Sequence, residues 1–270
     1  MRIGIVLCGL LVWPAAAQAQ EFALQALEES PRHLEWVEVP SGERRLHAFI
    51  AYPERPEPSL GVVVIHENRG LTDWVRSVAD QLAAAGYVAI APDLLSGDDD
   101  PNDRTSEFES SDAAREALYA LDPDRIISDL DAVQAYLEQL PASDGRTVVM
   151  GFCWGGAQAF RYAARADNLS ATLVFYGRGP GEEEPIEAIT APVYGFYGGD
   201  DARINAGIPE TASLMARHGK VYEHESYEGA GHAFMRAGDD SEAPGEVRRA
   251  RDAAWRRVRD ILSRVSQPGP

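Results

Sequence analysis

The chain has 270 residues, 45% of them hydrophobic and 25% charged, and its 43 acidic against 25 basic side chains give a formal charge of −18. That length supports one domain with a sizeable core, and no linker-like stretch divides it. The acidic balance argues against nucleic acid or anionic membrane as partners, because both are met by a basic face.

Arg2 precedes the apolar stretch Ile3–Trp13, and Pro14 and small residues follow, with Ala17-Gln18-Ala19 as an A-x-A cleavage site. The apolar stretch falls well short of the roughly 20 residues that cross a bilayer. Residues 1–19 are therefore expected to be a cleaved signal peptide and 20–270 a single mature domain, exported to the periplasm or secreted, with no membrane attachment after processing. Cleavage removes Cys8, so Cys153 becomes the only cysteine of the mature chain. In an oxidising compartment a free thiol is a liability unless it is buried or used.

After a polar entry segment, "LEWVEVP" and "RRLHAFIAYP" flank "SGE" and read as an antiparallel hairpin. The period then changes. "GVVVI" (61–65) reads as a buried strand and "DWVRSVADQLAAAG" (73–86) as an amphipathic helix ended by Gly86. "YVAIAP" is the next strand, and the acidic, serine-rich segment 96–112 is expected to be a solvated surface loop. "DPDRIISDLDAVQAYLEQL" places Pro123 near a first turn and Ile126, Ile127, Leu130, Val133 and Leu137 at helical spacing. "TVVM", "ATLVFYG" and "PVYGFYG" are short apolar strands, with helices at 155–166 and 208–218 between them; "KVYEHESY" and an arginine-rich helix near 246–264 complete the chain. Alternating strands and helices predict an α/β fold, a mostly parallel sheet with helices on both faces and a functional crevice at the strands' carboxyl ends. The sequence holds no internal repeat, phosphate-binding glycine loop or metal-spaced cysteine or histidine pair.

Three chemically suggestive stretches begin where a predicted strand ends. "HENRG" follows "GVVVI", "GFCWGG" follows "TVVM", and "GGDDARI" follows "PVYGFY"; a fourth, "GAGHAF", comes two residues after "KVYEHESY". Cys153 in "GFCWGG" sits where a strained strand-to-helix turn would raise a nucleophile clear of the sheet, with Gly151, Gly155 and Gly156 allowing close approach. His232 is one of six histidines, but it alone lies in a side-chain-poor loop able to reach over that turn. Asp201 would orient the imidazole and stabilise the imidazolium. Asp200 is a direct competitor, and loop phase favours neither. Nucleophile, acid and histidine in this order match the chain order of α/β-hydrolases.

Together, "VVVIHENRGL", "AAAGYVAIAPDLLSG", "GFCWGG", "GFYGGDDARI" and "GAGHAFMR" resemble the dienelactone hydrolase family, also called carboxymethylenebutenolidases, over about residues 35–262. The resemblance implies an α/β-hydrolase fold and a triad of Cys153 as nucleophile, Asp201 rather than Asp200 as acid, and His232 as base. It gives Glu67 a place beside the resting thiol, from which it rearranges when substrate arrives, so that thiolate forms only when needed. It also implies an oxyanion hole from the backbone N–H groups of Asn68 and Trp154, and a substrate carboxylate held by Arg236 with Arg115, or alternatively Arg104, from the segment after "APDLLSG". Loss of Arg236 is then expected to harm anionic substrates and spare neutral ones.

The expected function is cleavage of a small-molecule ester or lactone through a thioester intermediate, by a monomeric or weakly associating protein that needs no metal or organic cofactor. Alternatives are a promiscuous short-chain carboxylesterase or thioesterase of the same fold and, more distantly, a non-catalytic redox- or ligand-binding thiol protein.

Overall fold

The computed structural model describes residues 15–97, 103–180 and 186–267, with side chains from Glu21 onward. Most of the expected signal segment, including Cys8, and part of the acidic loop lie outside the described residues.

Eight strands form one sheet in the order β1-β2-β4-β3-β5-β6-β7-β8. The expected hairpin is present as β1 (Leu34–Ser41) and β2 (Arg44–Ala51), paired antiparallel with Trp36 opposite Phe49. β2 pairs antiparallel with β4 (Val88–Pro92). β3 (Ser59–Ile65), β4, β5 (Ser143–Phe152), β6 (Leu169–Phe175), β7 (Val193–Gly198) and β8 (Tyr222–Tyr227) are all mutually parallel, so their carboxyl ends share one edge. The helices are α1 (Ala15–Glu28), α2 (Asp73–Ala84), α3 (Ser111–Ala120), α4 (Pro123–Gln139), α5 (Trp154–Ala163), α6 (Ala202–Asn205), α7 (Ile208–Arg217), α8 (Phe234–Gly238) and α9 (Gly245–Ser266).

Strand side chains alternate between the faces, and from β3 to β7 both faces are buried, which is why these strands read as apolar runs. Val62, Val64, Met150 and Phe152 pack under Trp74 and Val78 of α2 and Trp255 and Val258 of α9. Val63, Ile65 and Val149 meet Leu130, Val133 and Leu137 of α4 and Ala159 of α5 on the opposite face. Each fully buried aliphatic side chain of this kind contributes roughly 1.5–3 kcal/mol relative to exposure. α4 starts where the sequence placed it: the Asp122 carboxylate accepts from the N–H groups of Asp124 (2.8 Å) and Arg125 (3.3 Å), and Pro123 occupies the first turn.

Four helices, α1, α3, α6 and α8, escaped the periodicity reading. α3 buries only Ala114 and Leu118, a stripe too narrow to stand out, and α8 is five residues long. The described part of segment 96–112 is also less solvated than expected. The buried Asp93 carboxylate accepts from the Thr105 backbone N–H and hydroxyl, both at 2.7 Å, and ties the segment to the end of β4. Helix α1 runs across the expected cleavage point and packs on α2 through the buried Ala23 and Leu27. Both residues lie beyond Ala19 and would stay with the mature chain.

Candidate active site

The turn between β5 and α5 presents Cys153 at φ 55°, ψ −112°, an uncommon conformation for a side-chain-bearing residue. The close approach depends on two glycines: a Cβ on Gly151 would lie 2.0 Å from the Gly155 carbonyl oxygen, and one on Gly155 would lie 2.3 Å from that of His66. The backbone N–H of Cys153 donates to Phe175 O at 2.9 Å, which fixes the turn against the end of β6.

His232, from the loop between β8 and α8, brings Nε2 to 3.1 Å from Cys153 Sγ and Nδ1 to 2.5 Å from Asp201 Oδ2. An ionised carboxylate only accepts, so Nδ1 carries the proton and Nε2 is left to accept from the thiol. Asp201, after β7, is buried with 6% of its surface exposed, whereas Asp200 is exposed. Of the two carboxylates that loop phase left open, the structure brings Asp201 to the imidazole.

Glu67 follows β3, is 5% exposed, and its Oε2 accepts from Arg236 Nε of α8 at 2.8 Å. Burial pushes the Cys153 thiol above its ordinary value and the Glu67 charge adds to the rise; the Trp154 N–H, the Arg203 charge and the Asn68 N–H oppose it without reversing it. The resting sulfur is therefore a protonated thiol at neutral pH. The backbone N–H groups of Asn68 and Trp154 both act on this sulfur.

Two further residues shape the site, neither of them anticipated. His66 is fully buried and stacked on Trp154 (5.5 Å, 10°). Its Nδ1–H donates to Glu67 O at 2.8 Å, since a carbonyl can only accept, and its Nε2 accepts from Leu94 N–H at 3.4 Å. Burial lowers its pKa, which keeps the ring neutral and able to join the loops after β3 and β4. Tyr176, directly after β6, lies edge-on to His232 (5.1 Å, 63°) at φ 40°, and its buried hydroxyl has no hydrogen-bond partner among the described residues. "VFYG" read simply as a strand; its position at a strand's carboxyl end was the available signal.

A pocket of about 780 Å³ opens over the thiol and imidazole. Leu118 and Leu121, at and just beyond the end of α3, and Ile126 of α4 form an apolar wall, and Trp154 floors it. Arg236 lines the pocket as expected; Arg115 and Arg104 do not. Arg115 is one residue past the inward Ala114, a rotation of about 100° on a helix, and it faces solvent beside Asp112 at 3.3 Å. Arg104 lies over the Trp36 ring (5.0 Å) and donates to His47 Nδ1 (3.2 Å). The arginines that line the pocket instead are Arg69, Arg161, Arg178 and Arg203. Arg69, Arg178 and Arg203 follow strand ends, two of them inside the stretches "HENRG" and "GGDDARI".

The sequence profile of the dienelactone hydrolase family matches residues 46–266. Two relatives carry the name "Putative carboxymethylenebutenolidase": one from Saccharolobus solfataricus is 34% identical, covering 83% of this chain and 95% of that protein, and one from Escherichia coli K12 is also 34% identical, covering 73% and 75%. A Klebsiella pneumoniae crystal structure named "Putative Dienelactone Hydrolase" superimposes with a TM-score of 0.74 at 25% identity, covering 86% of this chain and 98% of that one. With the α/β-hydrolase sheet, the profile match and these relatives, the chain belongs to the dienelactone hydrolase family and is a hydrolase acting on ester or lactone bonds.

Proposed function

We propose that hydrolysis proceeds through a thioester on Cys153, with His232 as the proton carrier and Asp201 as its orienting acid. The observation that carries this reading is the line Asp201 Oδ2, His232 Nδ1, His232 Nε2, Cys153 Sγ, joined at 2.5 and 3.1 Å over an open pocket. The thiol proton passes to His232 Nε2 as Sγ attacks the carbonyl carbon, and the oxyanion takes the N–H groups of Asn68 and Trp154. The carbon–oxygen bond to the leaving group breaks, and that oxygen takes the proton from Nε2. Water, deprotonated by the same nitrogen, then attacks the thioester; the acid departs and sulfur regains a proton. A thiol sensor would not require Asp201 and His232 in this alignment.

Glu67 is the gate in this scheme. Burial, with the Glu67 charge added to it, keeps the resting thiol protonated and so protected from oxidation. Arg236 holds that carboxylate in place, and a substrate anion competing for Arg236 would release it towards the sulfur. The pairing changes what is expected of Arg236, because its loss frees Glu67 as well and so also touches neutral substrates.

Iodoacetamide tests the reading. In the free enzyme, labelling of Cys153 is expected to be slow at pH 7 and to climb about tenfold per pH unit up to the raised thiol pKa, because thiolate is the reactive form, with activity lost in step with one label per chain. Glu67→Gln removes a negative charge and leaves that of Arg236 uncompensated. Both changes favour thiolate, so labelling at pH 7 accelerates while turnover falls. A labelling rate flat from pH 5 to 8 would mean a permanent thiolate–imidazolium pair, and full activity after complete alkylation would remove Cys153 from the chemistry.

We also propose that the protein is exported, on the strength of Arg2, the apolar run Ile3–Trp13 and Ala17-Gln18-Ala19. The mature chain is expected to begin at Gln20, with Gln18 as the secondary start, in the periplasmic or extracellular fraction. An intact mass that retains Met1 in cytosolic protein contradicts this.

A further inference from the structure

We propose that the pocket carries a second anion subsite, formed by Arg178 and Arg203, that selects esters bearing a carboxylate remote from the scissile bond. The proposal rests on the hydrolase reading above and concerns which esters that site takes.

The charge inventory is the first argument. Among the described residues, five arginines line the pocket against one acidic residue, Glu67, in a chain that carries 43 acidic and only 25 basic side chains. Glu67 is engaged by Arg236. Arg178 and Arg203, from the loops after β6 and β7, are exposed and have no hydrogen bond or ion pair with any described residue. Cations gathered round a concave surface repel one another unless an anion enters between them, and guanidinium groups match a carboxylate through paired N–H donors.

Shape supplies the second argument. A further hollow of about 420 Å³ shares Arg178, Arg203 and Ile204 with the active-site pocket and continues along α7 past Thr211 and Leu214. These two arginines therefore mark the junction of the pockets. A substrate seated at Cys153 and reaching towards the junction would carry an aliphatic or aromatic spacer and end in its anion between Arg178 and Arg203. Deeper in the hollow Glu210 and Arg217 oppose each other in charge, so the positive excess is at the junction. Long-range repulsion by the acidic surface is screened beyond about 8 Å at physiological salt, so the local arginines decide binding.

Mono-p-nitrophenyl esters of linear diacids of about four to eight carbons, each compared with the uncharged p-nitrophenyl ester of equal length, test this through the ratio of kcat/KM, charged over neutral. The ratio is expected to exceed one and to rise with chain length, and to fall in 1 M NaCl because the subsite is exposed. The double charge reversal Arg178→Glu/Arg203→Glu is expected to lower the ratio at least about tenfold through KM, while Arg178→Lys/Arg203→Lys keeps it within about threefold. A wild-type preference for neutral esters at every length, or a ratio that charge reversal leaves unmoved, overturns the subsite. Calorimetric titration with adipamate, the monoamide of adipate, and with the uncharged adipamide needs no turnover. Equal affinity for the two also overturns the subsite, whereas a preference for adipamate that charge reversal abolishes, in a protein that hydrolyses none of the esters, upholds it and overturns the hydrolytic reading.

Discussion

Cys153→Ala is expected to lower kcat for every ester the enzyme accepts by roughly 10⁴- to 10⁶-fold, the scale on which removal of a covalent nucleophile acts. The residual rate would come from the pocket and the N–H groups of Asn68 and Trp154, which remain in place. Little else should change. Alanine tolerates a φ of 55° no worse than cysteine does, and the packing under the turn comes from Gly151, Gly155 and Phe152, so the melting temperature should stay near that of wild type. Intact-mass analysis under quenched turnover should show an acyl adduct on wild type and none on the variant. An alanine variant within tenfold of wild type would show that water is activated directly by His232 and that no thioester forms.

Asp201→Asn is the second large effect, with an expected loss in kcat of roughly 10² to 10⁴ and little change in fold. The mechanism is a tautomer. The buried Asp201 carboxylate only accepts, which forces the proton onto His232 Nδ1 and leaves Nε2 free for the thiol 3.1 Å away. An asparagine amide offers donors as well, so the ring can reverse, place its proton on Nε2 and lose the ability to take one from Cys153. Asp200→Asn should stay within about twofold, because the side chain is exposed and its backbone N–H bond to Ala230 O survives the change. Equal losses in the two variants, or the reverse order, would place the orienting acid one residue earlier than the geometry does.

Both effects concern side chains on loops at one edge of a sheet, and their legibility in the sequence had a physical basis. β3 to β7 are buried on both faces and so appear as unbroken apolar runs between turn residues. The hairpin β1–β2 and helices α2, α4, α5, α7 and α9 carry the alternation or stripe that half-burial imposes. The nucleophile turn was legible because only glycine fits at Gly151 and Gly155, where backbone meets backbone. Cys153 and His232 stood out for the same reason: each is a reactive side chain in a stretch otherwise stripped of bulk.

Tertiary structure decided what local pattern cannot encode. Asp200 and Asp201 are chemically identical neighbours, and only the path of the loop after β7 buries one against His232. Arg236 lines the pocket as expected, but Arg115 does not, because helix α3 was not foreseen and its rotation aims Leu118 at the pocket and Arg115 at solvent; the alternative, Arg104, lies over Trp36. Glu67 and Arg236 lie 169 positions apart in the chain and meet only because the ends of β3 and the β8–α8 loop share an edge. The sequence by itself determined the sheet, the turn and the set of candidate reacting groups, since these depend on burial period and backbone sterics. Which carboxylate meets the imidazole, which arginines line the pocket and how protonated the resting thiol is depend on distances across the sheet edge, and those exist only once the chain has folded.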